Sequence, residues 1–323
     1  MPAGSLRVAP LPPGAKPFDV VACGECSLDL VAVVDRLPAP DEKHSIDALE
    51  LLPGGQAATA AVTCARQRWR ARYAGCLGTD EWGAAIEAAL RRAGVDVAAV
   101  RREGVRSRAA VILVERASGR RSVLEHRDPR LALRPEEVDT DLVTSGRVLI
   151  VDAVDVPASL TAARAARAAG IPVVLDLDRV VSGVDALLSS ADIVITAESF
   201  PRAFTGLPSL EEGLQALADR FHPALAVATL GPAGSLAVMD AREIRTPAPE
   251  VRVVDTTGAG DAFRGGFVSG WLRLGAEAGV DTLLEYANAT AALSCMGLGA
   301  QAALPTREAV DAVVTGITRG QSN

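Results

Sequence analysis

The sequence predicts an α/β protein in which helices cover both faces of a mostly parallel sheet and a small β lid projects from it. Three observations point there. Short, nearly continuous apolar runs at 18–26, 71–77, 148–151, 173–176, 193–196 and 224–229 read as strands buried on both faces. They alternate with stretches of helical apolar spacing at 56–68, 81–93 and 157–169, near Val184 and at 210–220, the pattern of crossover units. Two regions break the rhythm. Residues 29–52 and 105–126 hold two-faced strand patterns (28–34, 45–51, 109–115 and 121–126) with no crossover helix between them, which suits a small separate sheet serving as a lid. Late in the chain, strands are predicted at 235–239 and 251–254, followed by a largely helical C-terminal part opening on a helix at 262–274.

A chain of 323 residues lies within the range of an open α/β sheet folded as one unit. Aromatic residues are only 3% of the chain while hydrophobic ones are 49%, so the core is built mainly from Ala, Val and Leu. The net charge of −7 excludes a nucleic-acid backbone as the main partner, because that needs a basic surface. No run of eighteen apolar residues lacks a charge, so no membrane span is expected. Residues 1–17, rich in Pro, Gly and Ala without a signal-type apolar core, read as a loose tail, as do 317–323. Five cysteines, an odd number, read as reduced thiols of a cytoplasmic protein. Cys23-Gly24-Glu25-Cys26 has redox-type spacing, but an alternating strand pattern follows it, so it reads as small buried residues ending a strand. Three histidines are scattered and form no ligand set.

The chemistry concentrates in Asp255-Thr256-Thr257-Gly258-Ala259-Gly260-Asp261, between a strand-like stretch and a helix. Small residues at 258–260 let backbone N–H groups converge at the positive end of a helix, a cradle for developing phosphoryl charge. A carboxylate on the first turn, Asp261, can there take a proton from an attacking hydroxyl. The bland reading, an Asp-capped helix after a glycine turn, suits a lone Gly-x-Gly-Asp better than the full string. No Gly-x-x-x-x-Gly-Lys-Ser/Thr string occurs, so a P-loop is unsupported.

The string resembles the signature of the PfkB (ribokinase-type) carbohydrate kinases, and the resemblance runs from about residue 18 to 316. Gly54-Gly55 is similar to the start of that family's Gly-Gly-x-x-x-Asn helix, residues 75–83 to its Gly-x-x-Gly-x-Asp-x-x-Gly segment, and 229–234 to its nucleotide-binding turn. The resemblance implies a ribokinase-like three-layer α/β/α sandwich and an ATP- and Mg2+-dependent kinase for a hydroxyl of a small sugar. Asp261 would be the general base, with the amides of Gly258, Ala259 and Gly260 as anion hole. Asp29 would accept from substrate hydroxyls, since two carboxylate oxygens suit adjacent donors, and Gly54 and Gly55 would let the substrate approach the backbone. Asp152 falls where relatives place a polar substrate contact. Thr229, Gly231 and Gly234 would meet the nucleotide and Asn288 would lie near the adenine, while Asp255 and Thr257 would hold a monovalent cation such as K+.

Two departures stand out. Thr59 replaces the Asn of the Gly-Gly helix, and the Asn-x-x-Glu element that helps arrange magnesium aligns with Ala197-Glu198-Ser199-Phe200, leaving Glu198 as its nearest substitute. The 125–130 and 295–300 segments look closest to ketohexokinase-like and sulfosugar-kinase-like branches. Arg127, Arg130 and Arg264 would meet an anionic substituent if they point inward, and otherwise are solvated. Kinases for acidic sugars, sugar phosphates or nucleosides, and a non-catalytic sugar or nucleotide sensor, therefore stay open. The scarcity of aromatics weighs against a nucleoside base, and the intact Asp261 string weighs against the sensor. A homodimer through the lid strands is also implied.

Overall fold

The computed structural model describes residues 4–275 and 277–320. Its strands are β1 (Phe18–Cys23), β2 (Ser27–Val34), β3 (Ala48–Gly54), β4 (Ala71–Gly78), β5 (Asp96–Arg102), β6 (Ala109–Glu115), β7 (Arg121–His126), β8 (Gly146–Asp152), β9 (Val173–Leu177), β10 (Ile193–Ala197), β11 (Leu225–Thr229), β12 (Ser235–Met239) and β13 (Arg242–Thr246). The helices are α1 (Gln56–Arg66), α2 (Glu81–Arg92), α3 (Thr140–Val143), α4 (Val156–Ala168), α5 (Val184–Leu188), α6 (Ser199–Thr205), α7 (Leu210–Phe221), α8 (Ala259–Leu274), α9 (Val280–Ser294) and α10 (Arg307–Gly320).

Nine strands form one sheet in the order β13-β12-β11-β10-β9-β8-β1-β4-β5, parallel from β11 through to β5, with β12 and β13 added antiparallel at one edge. Side chains alternate across each strand. On β1 and β8, Val20, Ala22, Val148 and Ile150 pack under α1, α8 and α9, whereas Val21, Cys23, Leu149 and Val151 pack under α4 and α5. Both faces are thus roofed, which is why these strands read as unbroken apolar runs. The lid is a four-stranded sheet in the order β3-β2-β6-β7, with β2 and β6 parallel and both outer pairs antiparallel.

Helix α8 places the site. It is wedged between α1 and α9 through Gly265 and Gly266, where an added Cβ would meet Thr63 and Thr290 side chains at 2.5 and 2.6 Å. Its entry is fixed by Gly258 at φ +75°, a conformation that favours glycine; a Cβ there would also lie 2.6 Å from that of Ala300.

Several expectations need correction. Residues 4–17 are not a loose tail: Leu6 is buried in the main core, and the Leu11 amide donates to the Arg147 carbonyl at 3.3 Å. Leu6, Val8 and Leu11 give this segment enough apolar surface to pack despite its prolines. Residues 1–3 and 321–323 of the expected tails lie outside the described residues, and 317–320 continue α10. The strand expected at 251–254 is irregular, because the Val254 and Asp255 amides donate to the Cys295 carbonyl rather than to a neighbouring strand. β5, β13 and α6 were not foreseen.

If the N-terminal segment is part of the core, Leu6→Ala will lower unfolding stability by about 2–5 kcal/mol in urea titration. A change under about 0.5 kcal/mol, the value of an ordinary surface substitution, would contradict that packing.

Candidate active site

The parallel strands end together, and between those ends, the lid and the start of α8 lies one cavity of about 1150 Å³. Asp261, on the first turn of α8, lines it, and its carboxylate has no hydrogen-bond partner among the described residues. Burial raises the Asp261 carboxyl to about 6, opposed chiefly by Arg264 and then Arg121, while Asp178 and Asp152 push it further up. Beside it the N–H groups of Gly258, Gly260 and Asp261 have no backbone acceptor among the described residues. One part of the expected cradle differs: the Ala259 amide is taken by the Thr256 carbonyl at 3.2 Å, closing the turn that launches the helix. The free set is therefore Gly258, Gly260 and Asp261, and Ala259 contributes only wall.

At the other end Asp29 stands on β2 in the lid, buried and lining the cavity. One of its oxygens accepts from the Ser27 hydroxyl at 2.8 Å, and burial raises the carboxyl to about 6. Gly54 serves this carboxylate rather than the substrate, since any Cβ there would collide with the Asp29 carboxylate. Gly55 lines the cavity at φ +92° with no room for a side chain against Cys26 and the Glu25 carbonyl, so it holds the β1–β2 turn close to α1.

Two expected substrate contacts lie elsewhere. Thr59 is fully buried behind the wall, its hydroxyl accepting from the Gln301 amide at 3.2 Å, because the second turn of α1 already points into the core. Asp152 is also fully buried; it accepts from the amides of Glu25 at 2.6 Å and Val154 at 3.0 Å, so it pins the β1–β2 turn and lies outside the cavity wall. A glycine is needed at position 24 to let that carboxylate in.

The nucleotide-side residues do converge. Thr229, Gly231, Gly234 and Asn288 all line the cavity. Asn288 is buried and ties α9 to the antiparallel edge, donating to the Ser235 hydroxyl and the Thr246 carbonyl at 3.1 Å each. Glu198 is exposed and outside the wall, whereas Ala197 lines it. Asp255 and Thr257 are tied to each other and to the C-terminal loop: both Asp255 oxygens accept from Thr257 or the Gly299 amide at 2.7–2.8 Å, and the Thr257 hydroxyl is the donor of one of those bonds.

Further residues complete the wall: Arg127, read from the sequence as a contact for an anionic substituent, and Glu25, Glu125, Arg121 and Asp178, which sequence reasoning missed. Glu25, Glu125 and Arg127 line its sugar end, and Arg127 bridges Glu25 at 2.9 Å and Glu125 at 3.1 Å. Arg121 on β7 donates to the Thr256 hydroxyl at 3.0 Å, tethering the lid beside α8, and Asp178 follows β9. A carboxylate two residues beyond Asp176, just past a strand's C-terminal end, was a readable signal. Arg130 is exposed on Asp128, outside the wall. Arg264 lines the wall but is nearly buried and paired with Asp176 at 2.7 Å.

With this geometry in hand, similarity to known proteins is informative. The pfkB family carbohydrate kinase profile matches residues 18–307. An ATP-dependent ribose-1-phosphate kinase of Halopiger xanaduensis is 30% identical over 298 residues, covering 92% of this chain and 98% of that protein. A ribokinase of Staphylococcus aureus is 25% identical, covering 91% and 99%. The structure of Arabidopsis thaliana ribokinase complexed with ribose and ATP superposes with a TM-score of 0.75 at 26% identity, covering 92% of this chain and 98% of that one. The chain belongs to the pfkB family of carbohydrate kinases, and its fold is ribokinase-like.

Both site carboxyls, Asp261 and Asp29, sit near 6, raised above their unfolded values, so each is charged above that pH and neutral below it. We expect kcat/KM to be flat above about pH 7 and to fall below pH 6 with a slope approaching two, measured by coupled ADP release. A profile unchanged to pH 4.5 would contradict these environments.

Proposed function

We propose that the chain transfers the γ-phosphoryl group of ATP to a hydroxyl of a small, uncharged sugar, with Asp261 as general base. The observation that carries this reading is the free Asp261 carboxylate standing beside unpartnered amides in a cavity that also reaches Asp29. The acceptor sugar lies under the lid with hydroxyls donated to Asp29, and the nucleotide lies along Thr229, Gly231, Gly234 and Asn288. Asp261 takes the hydroxyl proton as the oxygen attacks the γ-phosphorus. A new O–P bond forms, the bond from phosphorus to the β,γ-bridging oxygen breaks, and ADP leaves with that electron pair. The amides at the head of α8 offset the charge on the transferring group at no reorganisation cost.

Among the described residues no three His, Cys, Asp or Glu side chains gather as a metal cage. Magnesium, general in phosphoryl transfer, enters here as the ion carried by nucleotide phosphates and water, and no step above is routed through it. No step above calls on K+. An acidic sugar is disfavoured: Arg127 is held between Glu25 and Glu125, Arg130 faces away, and Arg264 is neutralised by Asp176. A nucleoside base would find Phe263 as its sole aromatic contact in the wall.

The lid's outer face supports a homodimer. Leu30, Leu49, Leu51, Val111 and Leu124 share it by register, and Leu51 and Leu124 are 51% and 63% exposed, a contiguous apolar sheet face that a second lid would cover. The five buried, unpaired cysteines support a reducing compartment, the cytoplasm. No helix among the described residues is long and apolar enough to cross a membrane.

Asp261→Asn will lower kcat by roughly two to four orders of magnitude at unchanged melting temperature, read by ADP release over a panel of ketoses, aldoses and polyols. Near-normal turnover in the folded variant would remove Asp261 from the role, and ligand-induced thermal shifts without turnover in the wild type would favour a sensor. Leu51→Asp combined with Leu124→Asp should convert a dimer to a monomer in light scattering after size exclusion, and a monomeric wild type would end the lid-dimer reading.

A further inference from the structure

Arg264 is an unusual side chain for its place. It sits on α8 one turn after Asp261, so both lie on the same helix face, and its side chain leans back toward the helix N-terminus. It is 3% exposed, and its guanidinium reaches two central strands of the sheet, where Nη2 pairs with Asp176 on β9 at 2.7 Å and donates to the Ile195 carbonyl on β10 at 3.4 Å. The other terminal nitrogen lies directly beneath Gly260, whose missing side chain makes the room; a Cβ there would collide with it. Nε has no partner among the described residues, although the group is almost wholly buried and borders the cavity. An arginine that needs only to neutralise Asp176 has no reason to lie under the amide cradle.

We propose that Arg264, fixed by Asp176 and the Ile195 carbonyl behind the first turn of α8, is a positioning residue for phosphoryl transfer that keeps the Asp261 carboxylate charged and aimed at the acceptor. The inference rests on the reading of Asp261 as base. Four other charged groups face Asp261 or its pair: Arg121 from the lid strand β7, Asp178 beyond β9, Asp152 at the end of β8, and Asp176 itself. Three of them are acidic, so with Arg264 removed only Arg121 opposes them. Among the groups acting on Asp261, Arg264 is the strongest that favours its charged form. Gly260 thus has a second duty besides its amide: it is the gap through which the guanidinium approaches the helix head.

The test is the acid limb of the kcat/KM–pH profile, read by ADP release with ATP and the best sugar of the panel. A lone Arg264→Gln change leaves Asp176 buried without its cation and endangers folding. The paired variant Arg264→Gln with Asp176→Asn replaces the ion pair by amides of similar shape, and the Arg264→Lys variant keeps the charge. Relative to Asp176→Asn alone, the paired variant should move the acid limb up by about one pH unit, lowering kcat/KM near pH 5.5 about tenfold. Arg264→Lys should return the limb most of the way. A paired variant whose limb superimposes on that of Asp176→Asn, while Asp261→Asn is inactive, overturns the inference and leaves the base intact. An active Asp261→Asn overturns the base itself, and this inference with it.

Discussion

Carboxylates crowd one corner of this molecule. Asp152 and Asp176 face each other across the register of β8 and β9, and Asp261 overhangs them from the first turn of α8. Burial pushes all three carboxyls up, so each resists being charged where it stands. The fold answers with donors and cations placed one by one. Backbone amides of Glu25 and Val154 bind Asp152, Arg264 pairs with Asp176, and Arg108 pairs with nearby Asp155. Only Asp261 of the three has neither a hydrogen bond nor an ion pair among the described residues, and it alone borders the cavity. That asymmetry suits Asp261 to the role of base proposed above.

The corner forms where parallel strands end and the chain turns into helices, so helix N-termini and strand carbonyls meet at a crevice. The antiparallel lid closes over it, anchored beside α8 by Arg121 on Thr256 and by the Thr256 hydroxyl donating to the Gly119 carbonyl at 3.0 Å. Lid and body also share the chain of charges Glu25, Arg127, Glu125 and Arg179. Asp29 in the lid and the free amides at the head of α8 are therefore held in register by hydrogen bonds and ion pairs between lid and body.

Much of this was legible in the sequence, for definite reasons. Strands roofed on both sides carry unbroken apolar runs, and the alternation with helices is long enough to read. β5 and β13 escaped because they are sheet edges: Asp96–Arg102 is half-buried and ends in arginines, and Arg242–Thr246 is mostly exposed. Asp261 and the glycines before it were legible because conformation and chemistry coincide within seven residues. Asp29 lines the cavity, whereas Gly54 and Asp152 owe their identities to partners that folding supplies, a carboxylate packed on a glycine and a turn amide from Glu25. Glu25 and Glu125 reach the same wall from segments far apart in the chain, which no local pattern announces.

The account is tested most directly by a crystal structure of the chain with its sugar and a non-hydrolysable ATP analogue. We predict the acceptor hydroxyl within about 3 Å of an Asp261 carboxylate oxygen, in line with a γ-phosphate that accepts from the Gly258, Gly260 and Asp261 amides. A terminal phosphate bound away from the head of α8, or an acceptor hydroxyl facing some other group than Asp261, would contradict it.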